Sequence, residues 1–360
     1  MKSGKLVLNI FLAVIVSIVG FAVGVCANLF VINKPQSDVF VSGDISIHFL
    51  ELGNEYTGDS IFIQSGETDI LIDAGSRQNS STTIIEYVDQ YVEDNTLEFV
   101  IATHADQDHI AAFPSTSTRK GIFEYYKTET IIDFPLTNKD TQVYNNYIKY
   151  RDLEVKAGAV RYSALDCYNE VNGAKRVYEI APGVEMEILY NYYYENSSSD
   201  ENNYSVCVMI NQGNNHYLFT GDLEEDGEKK LVEFYKEDRG GLPHCVLYKA
   251  GHHGSKTSST EELMSAITPE YVCVCCCAGS DEYTDTLDNQ FPTRQMIKNV
   301  SAHTDNIYVT TMMNDAGEAV SMNGNIVFSV KNGEISVNCS NNNTILKDTD
   351  WFKKRWPSGV

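Results

Sequence analysis

Residues 103–109 read THADQDH and follow the apolar run LEFVIA. His104, Asp106, Asp108 and His109 fall within this stretch, and imidazole and carboxylate groups are the usual ligands of zinc and other divalent ions. A pair of ions needs about five or six such groups, so these four would supply most of a dinuclear site. The alternative is a solvated polar loop. The calcium-loop and H-E-x-x-H patterns are both absent.

Two later stretches carry the same kinds of side chain, and each also follows an apolar run. The first is TGD at 220–222, which ends in Asp222, and the second is KAGHHGSKTS at 249–258, which contains His252 and His253. The second is not a phosphate-binding P-loop, because Ala250 and Ser255 stand where that motif needs glycines. The three stretches together predict a metal site built from several strand ends.

With these motifs in order, the chain resembles the metallo-β-lactamase fold superfamily. It is most similar to the hydrolase domain of the DNA-internalisation competence proteins of the ComEC type. The upstream stretch ILIDAGS also matches the first motif of the superfamily, and the resemblance spans roughly residues 44–335. The fold that it implies is an α/β αββα sandwich, with two mixed β-sheets flanked by helices and the metal site at one edge between the sheets.

The resemblance also implies roles for individual residues. Asp222 would bridge two divalent ions, zinc or manganese, and one of His252 and His253 would be a ligand while the other faces the substrate. The implied metal-ligand candidates are His104, Asp106, Asp108, His109, Asp222, His252 and His253. Those implied to support the ligands are Asp73, Asn203 and Ser255, and those assigned to catalysis are Asp108, His253 and Lys249.

The chain departs from the family pattern in two places. A middle histidine is expected shortly before TGD, but Asn202, Asn203 and Ser205 stand there. Competence relatives often place His-Pro after the cysteine-rich strand, whereas this chain has Phe291-Pro292. An oxygen-rich set of ligands suits manganese better than a set of nitrogens does, so manganese competes with zinc in this prediction.

Strands and helices must hold these residues in place. Short apolar or alternating runs bounded by turn residues predict strands at ISIHFLEL, SIFIQSG, TDILIDAG and NIVFSVKNGEISVNC, and a hairpin before TGD. Helical spacing appears in STTIIEYVDQYVED, LEEDGEKKLVEFYKED and STEELMSAI. Four of the nine cysteines lie in YVCVCCCAG, and their alternation predicts small core residues of a strand.

The amino-terminal segment differs from the rest. Residues 6–33 contain no charge, and this exceeds the ~20 residues that a membrane-spanning helix needs. We therefore predict a membrane anchor or uncleaved signal at 1–33, a linker at 34–43, a hydrolase domain at 44–340 and a tail at 341–360. Lys2 and Lys5 favour a single-pass protein with its domain outside the cell. The alternative is secretion after signal cleavage.

The function predicted from the sequence is that of an exported metal-dependent phosphodiesterase or nuclease. DNA, single-stranded DNA among its forms, or a nucleotide would be the substrate, and a separate membrane channel would be needed for any translocation. The net charge of −23 argues against a nonspecific grip on nucleic acid. A silent metal-binding interaction module and a hydrolase of small esters or lactams are the alternatives.

Overall fold

The computed structural model describes residues 43–360, which belong to one compact unit. The predicted anchor at 1–33 and nearly all of the linker at 34–43 lie outside the described residues. Among residues 43–360, no helix has the length and apolar character that crossing a membrane requires.

Strands make up both central layers of the domain. In chain order they are β1 Ile45–Phe49, β2 Ile61–Ser65, β3 Thr68–Ile72, β4 Thr96–Ala102, β5 Lys127–Asp133, β6 Val160–Ser163, β7 Val177–Ala181, β8 Val184–Ile188, β9 Val208–Gln212, β10 Asn215–Phe219, β11 Leu247–Lys249, β12 Tyr271–Ala278, β13 Ile307–Met313, β14 Ala319–Ser321, β15 Ile326–Lys331 and β16 Glu334–Cys339. One sheet has the order β16-β15-β1-β2-β3-β4-β5-β6, and the other β14-β13-β12-β11-β10-β9-β8-β7. Both sheets mix parallel and antiparallel pairs, as predicted.

Helices connect the strands. They are α1 Ser80–Val88, α2 Gln107–Ile110, α3 Ile122–Tyr125, α4 Gln142–Ala157, α5 Ala164–Asn169, α6 Glu225–Arg239, α7 Glu261–Ile267, α8 Arg294–Ser301 and α9 Asp350–Arg355. The apolar faces of α1 and α4 join one core with the facing sides of the two sheets. The apolar faces of α6, α7 and α8 join a second core with the other side of the second sheet.

Strand β12 shows why its cysteines are there. Cys273 and Cys275 lie in the core between the sheets, whereas Val274 and Cys276 lie in the core under the helices. Successive strand residues point to opposite faces, and both faces of this strand are covered. The cysteines are free and buried, so they fill the core as the alternation predicts.

The segment 341–360, predicted as a tail, packs onto the second core. Leu346, Phe352 and Trp356 are buried there, and Trp356 Nε1 donates a hydrogen bond to Asp288, 3.0 Å away. These contacts tie the end of the chain to the loop that follows β12.

Parallel strand pairs bring the motifs to one edge of the sandwich. In the first sheet β3 and β4 are parallel neighbours, and in the second sheet β10 and β11 are. Because carboxyl ends of parallel neighbours meet at the same edge, Asp73 lies beside His104, and Asp222 lies beside the His252-His253 turn.

Candidate metal centre

Asp73 fixes the orientation of the THADQDH stretch at 103–109. Its carboxylate accepts hydrogen bonds from the backbone N–H and the hydroxyl of Thr103, both at 2.8 Å. It also accepts one from Nδ1 of His109, again at 2.8 Å. When Nδ1 carries the proton, Nε2 of a neutral imidazole presents a lone pair, which is the form that binds a metal. This is the geometry that the predicted supporting role of Asp73 requires.

Three buried side chains converge opposite Asp73. Nε2 of His109 and Nε2 of His253 each lie 3.0 Å from Oδ2 of Asp222, and they lie 3.2 Å from each other. Nδ1 of His253 lies 3.0 Å from the carbonyl oxygen of Cys275, to which it donates. Both histidines therefore direct lone pairs at one point that a carboxylate also faces.

Such an arrangement is stable only around positive charge. Burial acts to lower the pKa of His109 and that of His253, but Asp222 acts together with Asp73 at His109 and with Asp59 at His253, and these carboxylates raise both pKa values well above the ordinary range. The field that favours a proton there also favours a cation. Tetrahedral ligands at about 2.1 Å from zinc are separated by roughly 3.4 Å, close to the distances observed.

The surroundings of His104 also suit a metal ligand. It is fully buried, and its Nε2 has no hydrogen-bond partner. Its Nδ1 lies 3.1 Å from the hydroxyl of Thr103. Burial, with the neighbouring His109 adding to it, holds the pKa of His104 well below its usual value. A neutral imidazole with an unpartnered lone pair in the interior suits a metal ligand.

Asp108 and Asp106 lie on the solvent side of the cluster that His109, Asp222 and His253 form. Oδ2 of Asp108 lies 3.4 Å from Nε2 of His253. Asp106 lies farther out, with Oδ2 3.7 Å from Nε2 of His104 and Oδ1 in an ion pair with Lys139. The structure thus brings Asp108 into contact with the cluster and turns Asp106 partly away from it.

Asp59 is a member of the cluster that the sequence motifs did not reveal. It forms a group of four candidate ligands with His109, Asp222 and His253, whose ligand atoms lie within 4.8 Å of one another. Asp59 precedes β2, and Ile61 of β2 pairs with Ile72 of β3. Because β2 and β3 are antiparallel, the start of β2 lies beside Asp73, and this register is the signal that could have found Asp59.

The buried position of Lys249 favours an orienting role over contact with a phosphate. Lys249 was assigned to catalysis, either by contacting a phosphate or by orienting its loop, and its ammonium group is buried. The ammonium pairs with Asp59, donates to the carbonyl of Gly221 at 3.1 Å and lies 3.4 Å from Oδ1 of Asp222. As the last residue of β11 it points between the sheets, where it orients carboxylates rather than meeting solvent.

The remaining predicted residues lie around the cluster. His252 is partly exposed, and its Nδ1 lies 2.6 Å from Oε1 of Glu224. Ser255 shares a hydrogen bond with Thr257 at 2.7 Å. Asn203 Nδ2 donates to Ser198 at 3.2 Å. Neither Ser255 nor Asn203 is bonded to a member of the cluster.

Ser205 lies where the missing middle histidine was expected. Its hydroxyl accepts from the backbone N–H of Asp222 at 3.0 Å and lies 3.5 Å from Nδ1 of His104. The sequence shows this departure, but its pattern predicts no role for Ser205. In the structure Ser205 links the TGD turn to His104 of the THADQDH stretch.

We expect Gly75→Ala to displace the THADQDH stretch. A Cβ at this position would lie 1.5 Å from the carbonyl oxygen of Asp108, which is far inside van der Waals contact. The variant should lose most of its metal affinity, as measured by titration with zinc or manganese. Gly317→Ala is the matched control, since its Cβ meets nothing within 4 Å and only its backbone is strained. Unchanged affinity in Gly75→Ala would contradict the close approach.

Comparison with known proteins shows what parts of this chain are similar to. Residues 53–135 match the Metallo-beta-lactamase superfamily. The chain is 33% identical over 121 residues to the Competence protein ComA of Neisseria gonorrhoeae. It is 24% identical over 182 residues to the ComE operon protein 3 of Bacillus subtilis. These matches cover 34% and 48% of this chain but only 16% and 19% of the two relatives.

Among solved structures, the chain is similar to the metallo-beta-lactamase fold protein YhfI from Bacillus subtilis. The two share 12% identity with a TM-score of 0.43, over 77% of this chain and 99% of that one. Members of the superfamily are generally metal-dependent hydrolases. Residues 53–135 thus match a metallo-β-lactamase superfamily domain, and over part of its length the chain is similar to competence proteins of the ComEC type.

Proposed function

We propose that the chain is a metal-dependent phosphodiesterase that acts on DNA or a nucleotide. The observation that carries this proposal is the convergence of two imidazole lone pairs and a carboxylate on one buried point. The competence relatives favour a DNA-related substrate over other phosphodiesters. A membrane anchor at 1–33 and a separate channel partner stay predictions.

Within this proposal each residue has a part. His104, His109, His253, Asp108 and Asp222 would hold two divalent ions. His252, which is partly exposed and held by Glu224, faces the substrate. Bound ions lower the pKa of water towards ~7 and neutralise charge on phosphoryl oxygens. Asp73 and Lys249 keep His109 and Asp222 in position.

A substrate panel tests the proposal. The purified protein, loaded with manganese or zinc, is assayed against bis-p-nitrophenyl phosphate, single-stranded DNA, cyclic dinucleotides and a β-lactam. We expect turnover of the phosphodiesters. Turnover of the lactam alone would favour the small-substrate alternative. Binding of metal with no turnover of any of them would favour the silent module.

The metal preference is a second expected result. Nitrogen-rich shells suit zinc and oxygen-rich shells suit manganese, although raw affinity favours zinc. We expect zinc to co-purify in part and manganese to give the higher turnover. Asp106→His should move the preference towards zinc, because this side chain lies 3.7 Å from His104. Asp106→Asn is the control, since it removes the charge without adding an imidazole. An unchanged preference in Asp106→His, with full activity of the native protein in zinc, would contradict this prediction.

A further inference from the structure

The metal centre is open to solvent on one side. The side chains of His104, His109 and His253 have no exposed surface, and that of Asp222 is 2% exposed. By contrast, Asp108 is 17%, His252 23% and Asp106 27% exposed. A substrate must therefore approach past this second group.

Tyr283 stands at the same opening and is 57% exposed. Its hydroxyl donates a hydrogen bond to Oδ2 of Asp108 at 3.3 Å. Its ring lies 5.3 Å from that of Phe291 at an interplanar angle of 39°. Phe291 in turn lies 5.7 Å from the ring of His252. One face of the tyrosine is thus supported by the protein, and much of the ring remains accessible.

The loop that carries Tyr283 is held at several points. The N–H of Gly279 donates a hydrogen bond to the carbonyl of Phe291, at 2.8 Å, and this bond joins the two ends of the loop. Glu282 accepts from the N–H of Thr57 at 2.8 Å and pairs with Arg77 at 2.9 Å. The residues beside Tyr283 are therefore anchored to the first sheet's loops, which fixes the hydroxyl near the cluster.

The charges at the opening explain why a neutral donor matters there. Asp106 is paired with Lys139, whereas Asp108 presents a carboxylate that would repel a phosphodiester unless a cation offsets its charge. Tyr283 offers a hydrogen-bond donor without adding charge. A carboxylate that holds a metal ion is a weaker acceptor, so with Asp108 as a ligand the Tyr283 hydroxyl would be free to donate to another oxygen.

We propose that Tyr283 contacts the substrate, its hydroxyl donating to a phosphodiester oxygen and its ring packing against the esterified group. This inference rests on the proposed phosphodiesterase function. An aromatic face tolerates any base, so the contact suits a nucleotide ester without selecting its sequence.

Two substitutions test this role. Tyr283→Phe removes the hydroxyl alone, and Tyr283→Ala removes the ring as well. With manganese-loaded protein, we expect Tyr283→Phe to lower kcat/KM about tenfold on both bis-p-nitrophenyl phosphate and a dithymidine phosphodiester, the loss of one hydrogen bond to a charged oxygen. Tyr283→Ala should cost a further factor of about ten on the dithymidine ester, where base stacking is lost. Tyr192→Phe, on the exposed surface, should match the native protein.

Calorimetric titration with a dithymidine phosphorothioate adds a measurement that does not depend on turnover. Weaker binding by both Tyr283 variants supports the contact, even if the native protein binds without hydrolysing, an outcome that would refute only the proposed activity. Native affinity and native kcat/KM in Tyr283→Phe would overturn the inference. A native protein that neither binds nor cleaves the esters would overturn both proposals.

Discussion

We expect Asp222→Asn to lower phosphodiester hydrolysis by at least about a hundredfold, since loss of a group that merely supports a ligand already costs 10–100-fold. Oδ2 of Asp222 lies 3.0 Å from both His109 and His253, so this carboxylate faces the point where the lone pairs meet. Asparagine keeps the volume and removes the charge, which should preserve the fold. The measurement is kcat with manganese, together with circular dichroism of both proteins.

The matched control for this prediction is Asp226→Asn. Asp226 is an exposed acid in the first turn of α6, four residues beyond Asp222. Its loss changes the net charge by the same amount and touches no member of the cluster. Should Asp222→Asn hydrolyse the ester at a rate close to that of Asp226→Asn, Asp222 would have no part in the activity.

The second large effect is on stability. We expect Lys249→Met to lower the free energy of unfolding by about 3–5 kcal/mol in metal-free protein, because removing one partner leaves buried charge uncompensated. Burial lowers the pKa of Lys249, but Asp59 and Asp222 outweigh burial and raise it, so the ammonium stays charged. Urea unfolding in the presence of a chelator measures the loss.

Two further variants make the stability test specific. Combining Lys249→Met with Asp59→Asn should recover part of the loss, because both charges of the pair are then gone. Lys127→Met, whose ammonium is 67% exposed and pairs with Glu129, should cost less than about 1 kcal/mol. If Lys249→Met is no less stable than Lys127→Met, the buried ion pair does not stabilise the domain.

The order of the motifs along the chain predicted much of the centre. THADQDH, TGD and KAGHHGS each follow an apolar strand, and parallel pairing of β3 with β4 and of β10 with β11 brings their ends together. Local sequence was sufficient to predict which side chains meet at this centre, because the strand just before each stretch fixes its position. The alternation of cysteines in β12 was informative for the same reason.

Residues whose roles depend on distant partners were harder to predict. Asp59 becomes a neighbour of Lys249 only when the two sheets face each other, and no spacing in the sequence encodes that contact. The sequence alone does not distinguish the roles of His252 and His253. In the turn they diverge, so that His253 is buried at the cluster and His252 meets Glu224. The 16-residue helix α4 was not predicted, because a helix in which only Tyr147 is buried shows little apolar periodicity in its sequence.

Anomalous diffraction from crystals of the protein soaked in manganese or zinc would test the central claim directly. We expect one strong peak between Nε2 of His109, Nε2 of His253 and Oδ2 of Asp222, and a second peak near Nε2 of His104. Crystals that show no peak among these atoms, or peaks only at exposed carboxylates elsewhere, would contradict it.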